Sequence, residues 1–147
     1  MNLTEHFTLA ELTVSQEAAR AGLPNRPNAE QVERLRDLCA AVLEPLRLRV
    51  RRPVVVSSGF RSVTVNRRIG GAAKSQHTRG EAADIIVPGM TPAEVVDLIR
   101  AMRLPFDQVI EEFGRWVHVS HSRANGNRGE VLAATREGGQ TRYRRIA

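Results

Sequence analysis

SQHTRGEAADIIV, Ser75 to Val87, sets a histidine and an aspartate on either side of Gly80, just where an apolar run begins. Ala82 to Val87 is short, ends in β-branched residues and is closed by Pro88-Gly89, so it reads as a buried strand. Successive side chains on a strand point to opposite faces, which puts Ala82, Asp84 and Ile86 together. The small Ala82 leaves room beside the Asp84 carboxylate. A second strand pattern, WVHVS at Trp116 to Ser120, turns Val117 and Val119 to the core and Trp116, His118 and Ser120 the other way. Two such strands can present Asp84 and His118 to one cleft, with His77 arriving from the loop before the first. Two imidazoles and one carboxylate suit zinc in a three-ligand site that keeps a position open. By spacing alone, the same residues also fit hydrogen-bonded or surface histidines and an aspartate paired with an arginine.

Working outward, Thr8-Leu-Ala-Glu11 has the spacing of a capping box, and a short helix is expected after it. Asn28 with Gln31 starts a longer helix whose apolar face is Val32, Leu35, Cys39, Val42 and Leu46, and Pro45 is expected to kink or end it. Pro53 to Val56 reads as a strand that runs into the turn Ser57-Ser58-Gly59. Thr91-Pro92-Ala93-Glu94 is a helix start, with Val95, Val96, Ile99 and Met102 as its core stripe. Phe106 to Glu112 has strand character, and Gly114 is a turn or bulge before Trp116. After His121 the chain is polar and glycine-rich, which predicts loops around one more strand and a basic tail.

The chain has 147 residues, 41% of them hydrophobic but only 4% aromatic, so one core built on Val, Leu, Ile and Ala is expected. That composition favours an α+β or α/β domain over 1–147, with a helical part at 1–50, a core at 51–121 and C-terminal loops and tail at 122–147. The single cysteine, Cys39, rules out an intramolecular disulfide and a Cys-rich zinc knuckle. The net charge of +6 is compatible with a nucleic-acid partner, an anionic cell-wall or membrane surface, or only an arginine-rich solvated exterior. The arginines are scattered and lack interleaved aromatics, which argues against nucleic acid. MNLTEHFTLAELT shows no basic region followed by an apolar run, and no stretch of about 18 apolar residues occurs. A monomer made in the cytoplasm, without stable membrane insertion, is the expectation.

SGFRS at Ser58 to Ser62, SQHTRGEAAD at Ser75 to Asp84 and WVHVS at Trp116 to Ser120 stand in the order of the motifs of the D-alanyl-D-alanine carboxypeptidase-like zinc peptidases, which the chain resembles from about Leu3 to His121. The resemblance implies an α+β fold of the hedgehog/DD-peptidase type, a central mainly antiparallel sheet flanked by helices. It implies Zn2+ on His77, Asp84 and His118. It also implies hydrolysis of an amide bond in peptidoglycan stem peptides, by a carboxypeptidase or an endopeptidase. With no export signal, the expectation is a phage or prophage lysis enzyme released by another protein, or a virion-associated hydrolase. The alternatives are a zinc-bearing module that binds wall or protein without catalysis, and a basic nucleic-acid binder.

Amide hydrolysis also needs a group that takes a proton from water and gives it to the leaving amine. Some members of the group carry an acid three positions before the last histidine ligand, where this chain has Arg115; others resemble a glutamate six positions before it, here Glu112. Six is an even offset, which keeps Glu112 on the face of His118 if the strands stay in register, and a one-residue slip would present Glu111 instead. The arginine of the SGxR motif implies that Arg61 binds a substrate carboxylate or steadies an oxyanion, and Ser75 resembles a substrate-contacting serine. Gln76, Asn66 and Arg79 are expected to shape the cleft. Trp116 either walls it or packs in the core, and alternation sends His121 away from His118.

Overall fold

The computed structural model describes residues 1–146. Two short helices open the chain, α1 (Leu9–Thr13) and α2 (Gln16–Ala21). The Thr8 hydroxyl accepts from the Glu11 N–H at 3.1 Å, so the threonine half of the expected box forms. The helix capped by Asn28 and Gln31 has both bonds of its box. It runs on as α3 (Ala29–Leu38), a π-helical turn (Cys39–Leu43) and α4 (Glu44–Val50). Pro45 therefore does not end it. The wider turn just before the proline accommodates a residue that has no N–H to donate.

Next come β1 (Val55–Ser58), α5 (Val63–Arg68), a 3-10 turn (Gln76–Arg79), β2 (Ala82–Ile86) and α6 (Pro92–Ala101). β1 starts two residues later than its apolar pattern suggests and takes in both serines. α6 has the complete Thr91–Glu94 box. β3 (Gln108–Glu112) and β4 (Trp116–Ser120) form a hairpin, and β5 (Glu130–Glu137) and β6 (Gln140–Arg145) a second one.

The six strands make one sheet in the order β1-β2-β4-β3-β5-β6, antiparallel except where β5 lies parallel to β3. The expected α+β class and mainly antiparallel sheet are what is observed. The C-terminus departs from expectation: the predicted basic tail is a paired edge strand, and two strands stand where one was expected.

Alternation sorts the sheet as the sequence predicts. Ala83, Ile85, Val109, Val117, Val119 and Val131 join the apolar cluster with Leu12, Leu35, Leu38, Leu43, Leu46, Val95 and Ile99 from the helices. The opposite face carries Asp84, His118, Ile110 and Glu112, with Asp84 directly across from His118. The segment from Arg61 to Arg79 borders that second face. No helix among the described residues is long and apolar enough to cross a membrane.

Candidate metal centre

Each of the three donors is placed by a different local device. Asp84 and His118 are cross-strand partners on β2 and β4, so their side chains rise from the sheet together. His77 sits in the 3-10 turn that Ser75 caps, its backbone N–H donating to the Ser75 Oγ at 3.2 Å. Gly80, in the left-handed region at φ 78°, ends that turn and releases the chain into β2. The turn is tied to the sheet through Gln76, whose side-chain amide donates to Asp107 Oδ2 at 2.8 Å.

Asp84 Oδ1 lies 3.3 Å from His77 Nε2 and 3.3 Å from His118 Nδ1. A tetrahedral ion bonded at about 2.0–2.1 Å spaces its ligand atoms about 3.3 Å apart, so the separations suit zinc. The protonation of His77 supports the same conclusion. Its Nδ1 is 2.8 Å from the Gly59 carbonyl, which can only accept, so Nδ1 carries the hydrogen. Burial lowers the His77 pKa and favours the neutral ring, which leaves a lone pair on Nε2 facing a carboxylate oxygen. Two acceptors at that distance repel unless a cation lies between them. Burial also works against the Asp84 carboxylate, but His118 and His77 in their protonated, hydrogen-bonding forms outweigh burial and hold its pKa far below the ordinary range. Positive charge that a neutral His77 ring does not supply is what a bound metal provides. Among the described residues, this is the one group of three such side chains whose donors converge.

A cleft of about 450 Å³ surrounds the group, and Arg61, Ser75, Gln76, Glu112, Trp116 and Tyr143 line it together with the three donors. The register pairs Glu112 with Trp116 and Glu111 with Val117, so Glu112 shares the face of His118 and Glu111 takes the other. Gly114 and Phe113, both at positive φ, confine the irregularity to the turn. Burial raises the Glu112 pKa, His118 opposes this and Asp84 adds to it. Arg61 donates to Ser58 Oγ at 3.3 Å and Ser75 Oγ at 3.4 Å, and its Nε has no partner. Burial lowers its pKa and Asp84 partly offsets that, without threatening the charge of a guanidinium.

Trp116 is half-buried against Phe113, ring centroids 5.7 Å apart, and walls the cleft. Among the residues expected to shape the cleft, only Gln76 lines it. The Asn66 amide donates to the Ala72 carbonyl, and Arg79 pairs with Glu81. His121 borders a separate hollow with Asp37 and Glu81. Tyr143 was not anticipated, because it stands in the stretch expected to be a tail.

A family model described as Peptidase M15 matches residues 5–120. The chain belongs to that family, in keeping with the peptidase group its motifs resemble. A relative from Streptomyces albus G, a zinc D-Ala-D-Ala carboxypeptidase, is 53% identical over 34 residues. That match takes in 23% of this chain and spans only 13% of the relative's length.

Proposed function

We propose that the chain hydrolyses an amide bond in peptidoglycan stem peptides, with His77, Asp84 and His118 holding zinc, Glu112 moving the proton, and Arg61 and Ser75 binding substrate. The observation that carries this reading is one cleft holding the three converging donors, a buried-side glutamate, and an arginine with no carboxylate partner among the described residues. When bound, zinc supplies Lewis-acid polarisation of the scissile carbonyl and acidifies the attacking water. Arg61 draws in a carboxylate beside the scissile amide and sets the register of the peptide, while the Ser58 and Ser75 hydroxyls hold its guanidinium. Glu112 accepts the proton of the attacking water and passes it to the leaving nitrogen. The raised pKa that burial gives it brings the carboxylate closer to the range where one group serves as both base and acid. Trp116 limits the access of bulk water from one side.

The name of the Streptomyces relative supports a D-alanine-containing substrate, and the +6 charge suits an anionic wall. Action on the wall after release by a phage or prophage lysis system is part of the same proposal.

Purified peptidoglycan and peptides ending in D-Ala-D-Ala are the substrates for the test, with products identified by mass spectrometry. Zinc-loaded wild type is expected to release D-alanine or stem fragments, chelation to stop release, and added zinc to restore it. Glu112→Gln is expected to keep one zinc and lose at least about 100-fold in kcat. A zinc-loaded wild type that binds the wall but releases nothing would instead make the chain a binding module.

A further inference from the structure

The family match ends at residue 120, and the β5-β6 hairpin lies beyond it. That hairpin nevertheless reaches the cleft. Across the sheet, Trp116 pairs with Glu112, Glu112 with Ala134 and Ala134 with Tyr143, so these four residues form a row on the face of the metal group. Ala134 is the small member of the row, and Tyr143, its partner on β6, lines the same cleft as Glu112. β6 is an edge strand whose residues are all exposed, and Tyr143 itself is 60% exposed. An aromatic ring left that open on an otherwise polar strand contributes little to the core and much to a surface that a ligand can cover. The part of the ring that faces the cleft is desolvated, and this and the neighbouring Glu112 charge raise the phenol's pKa, so the hydroxyl keeps its hydrogen.

The strand order places Arg61, just after β1, and Tyr143, on β6, at opposite ends of the sheet, with the three donors and Glu112 between them. Resting on the peptidase reading above, we propose that Tyr143 is a substrate-recognition residue that contacts the peptide on the side of the scissile bond away from Arg61. Its ring covers the extended chain and its hydroxyl donates to a peptide carbonyl. The scale of the contact follows from strand spacing. β6 lies three strands from β4, about 14 Å, or some four residues of extended peptide at about 3.3 Å each, less the reach of the tyrosine side chain. Recognition therefore falls about two to three residues from the scissile bond.

The test is a series of peptides with the same carboxylate-bearing end, lengthened one residue at a time on the other side. Wild type, Tyr143→Ala and Arg142→Ala, an exposed neighbour facing the other way, are compared in the zinc-loaded state. Binding of the same peptides to Glu112→Gln, with and without Tyr143→Ala, is followed through Trp116, the chain's only tryptophan. In wild type and Arg142→Ala, kcat/KM is expected to rise as the second or third residue is added. In Tyr143→Ala that rise is expected to shrink by about tenfold, with the shortest peptide little changed and melting unaltered. A normal rise in Tyr143→Ala, or an equal loss at every length, overturns the role while hydrolysis by wild type leaves the peptidase reading intact. Binding that weakens with Tyr143→Ala but without hydrolysis by wild type supports the role and removes the peptidase reading. Neither binding nor hydrolysis removes both.

Discussion

Gly59 shows how much a single position can hold in place. A Cβ built there would stand 2.3 Å from the Leu12 carbonyl oxygen, which already accepts from the Phe60 N–H at 2.7 Å. The Gly59 carbonyl is also the oxygen that fixes the His77 tautomer. Gly59→Ala must push the end of β1 away from α1 and carry that carbonyl with it. We expect a loss of about 1–3 kcal/mol of stability and a zinc affinity weakened about tenfold or more. Thermal melting and a competitive zinc titration measure the two effects, and unchanged zinc affinity would show that the tautomer contact does not matter. The sequence displays the glycine inside SGFRS, but the need for it comes from a helix more than forty residues away, which no local pattern encodes. Glu112 illustrates the opposite case: its place on the face of His118 follows from an even offset, once the turn at Phe113-Gly114 absorbs the odd residue.

Among elements, the helices opened by Thr8, Asn28 and Thr91 were legible, whereas α5, in a stretch whose glycines and arginines read as a loop, and the second of the two C-terminal strands were not. β6 reads Gln140-Thr-Arg-Tyr-Arg-Arg145, an edge strand that buries neither face and so has no apolar alternation to betray it. Its signal is the Gly138-Gly139 pair, both at positive φ, the chemistry of a two-residue hairpin turn. The loop that brings β5 beside β3 is anchored by Asp107, a fully buried carboxylate. It accepts from the Arg128 backbone and guanidinium, from Asn125 and from Gln76, and so joins the loop to the turn bearing His77. Asp107→Asn should cost about 1.5–3 kcal/mol, since Arg128 is half exposed and water can solvate part of what it loses. The pH dependence has a definite sign. Burial opposes the charged form, but the Arg128, Asn125 and Gln76 contacts outweigh it and depress the folded-state pKa. Its stabilisation is complete above the ordinary aspartate value of about 3.9 and is withdrawn as pH falls below it. Melting temperatures between about pH 2 and 5 should fall more steeply with acid in wild type than in Asp107→Asn, and parallel curves would deny the carboxylate this role.

At the scale of the whole molecule, the sheet separates what folds the protein from what would hold the metal. Leu12, Leu35, Leu38, Leu43, Leu46 and Ile99 are fully buried on the helix side, whereas His77, Asp84 and His118 occupy the other face. The alternation of two short strands made that division legible; the width of the sheet and its one parallel pairing depend on long-range contacts and were not. The consequence is that zinc should stabilise a fold that already exists. Chelated protein is expected to keep its far-UV and near-UV circular dichroism, because no apolar contact of the core passes through the three donors. Added zinc binds the folded state alone, and at a free concentration 100-fold above its Kd contributes about 2.7 kcal/mol. For a chain of this size that raises Tm by roughly 5–10 °C. His118→Ala removes a donor from the polar face, so it should melt near the chelated wild type and gain little from zinc. Loss of the near-UV signal on chelation would mean that the ion organises the fold, and the separation of the two faces would then be only geometric. Retention of that signal, with a zinc-dependent Tm that His118→Ala abolishes, ties the stabilisation to these donors and leaves the cleft free to vary in chemistry without risk to the core.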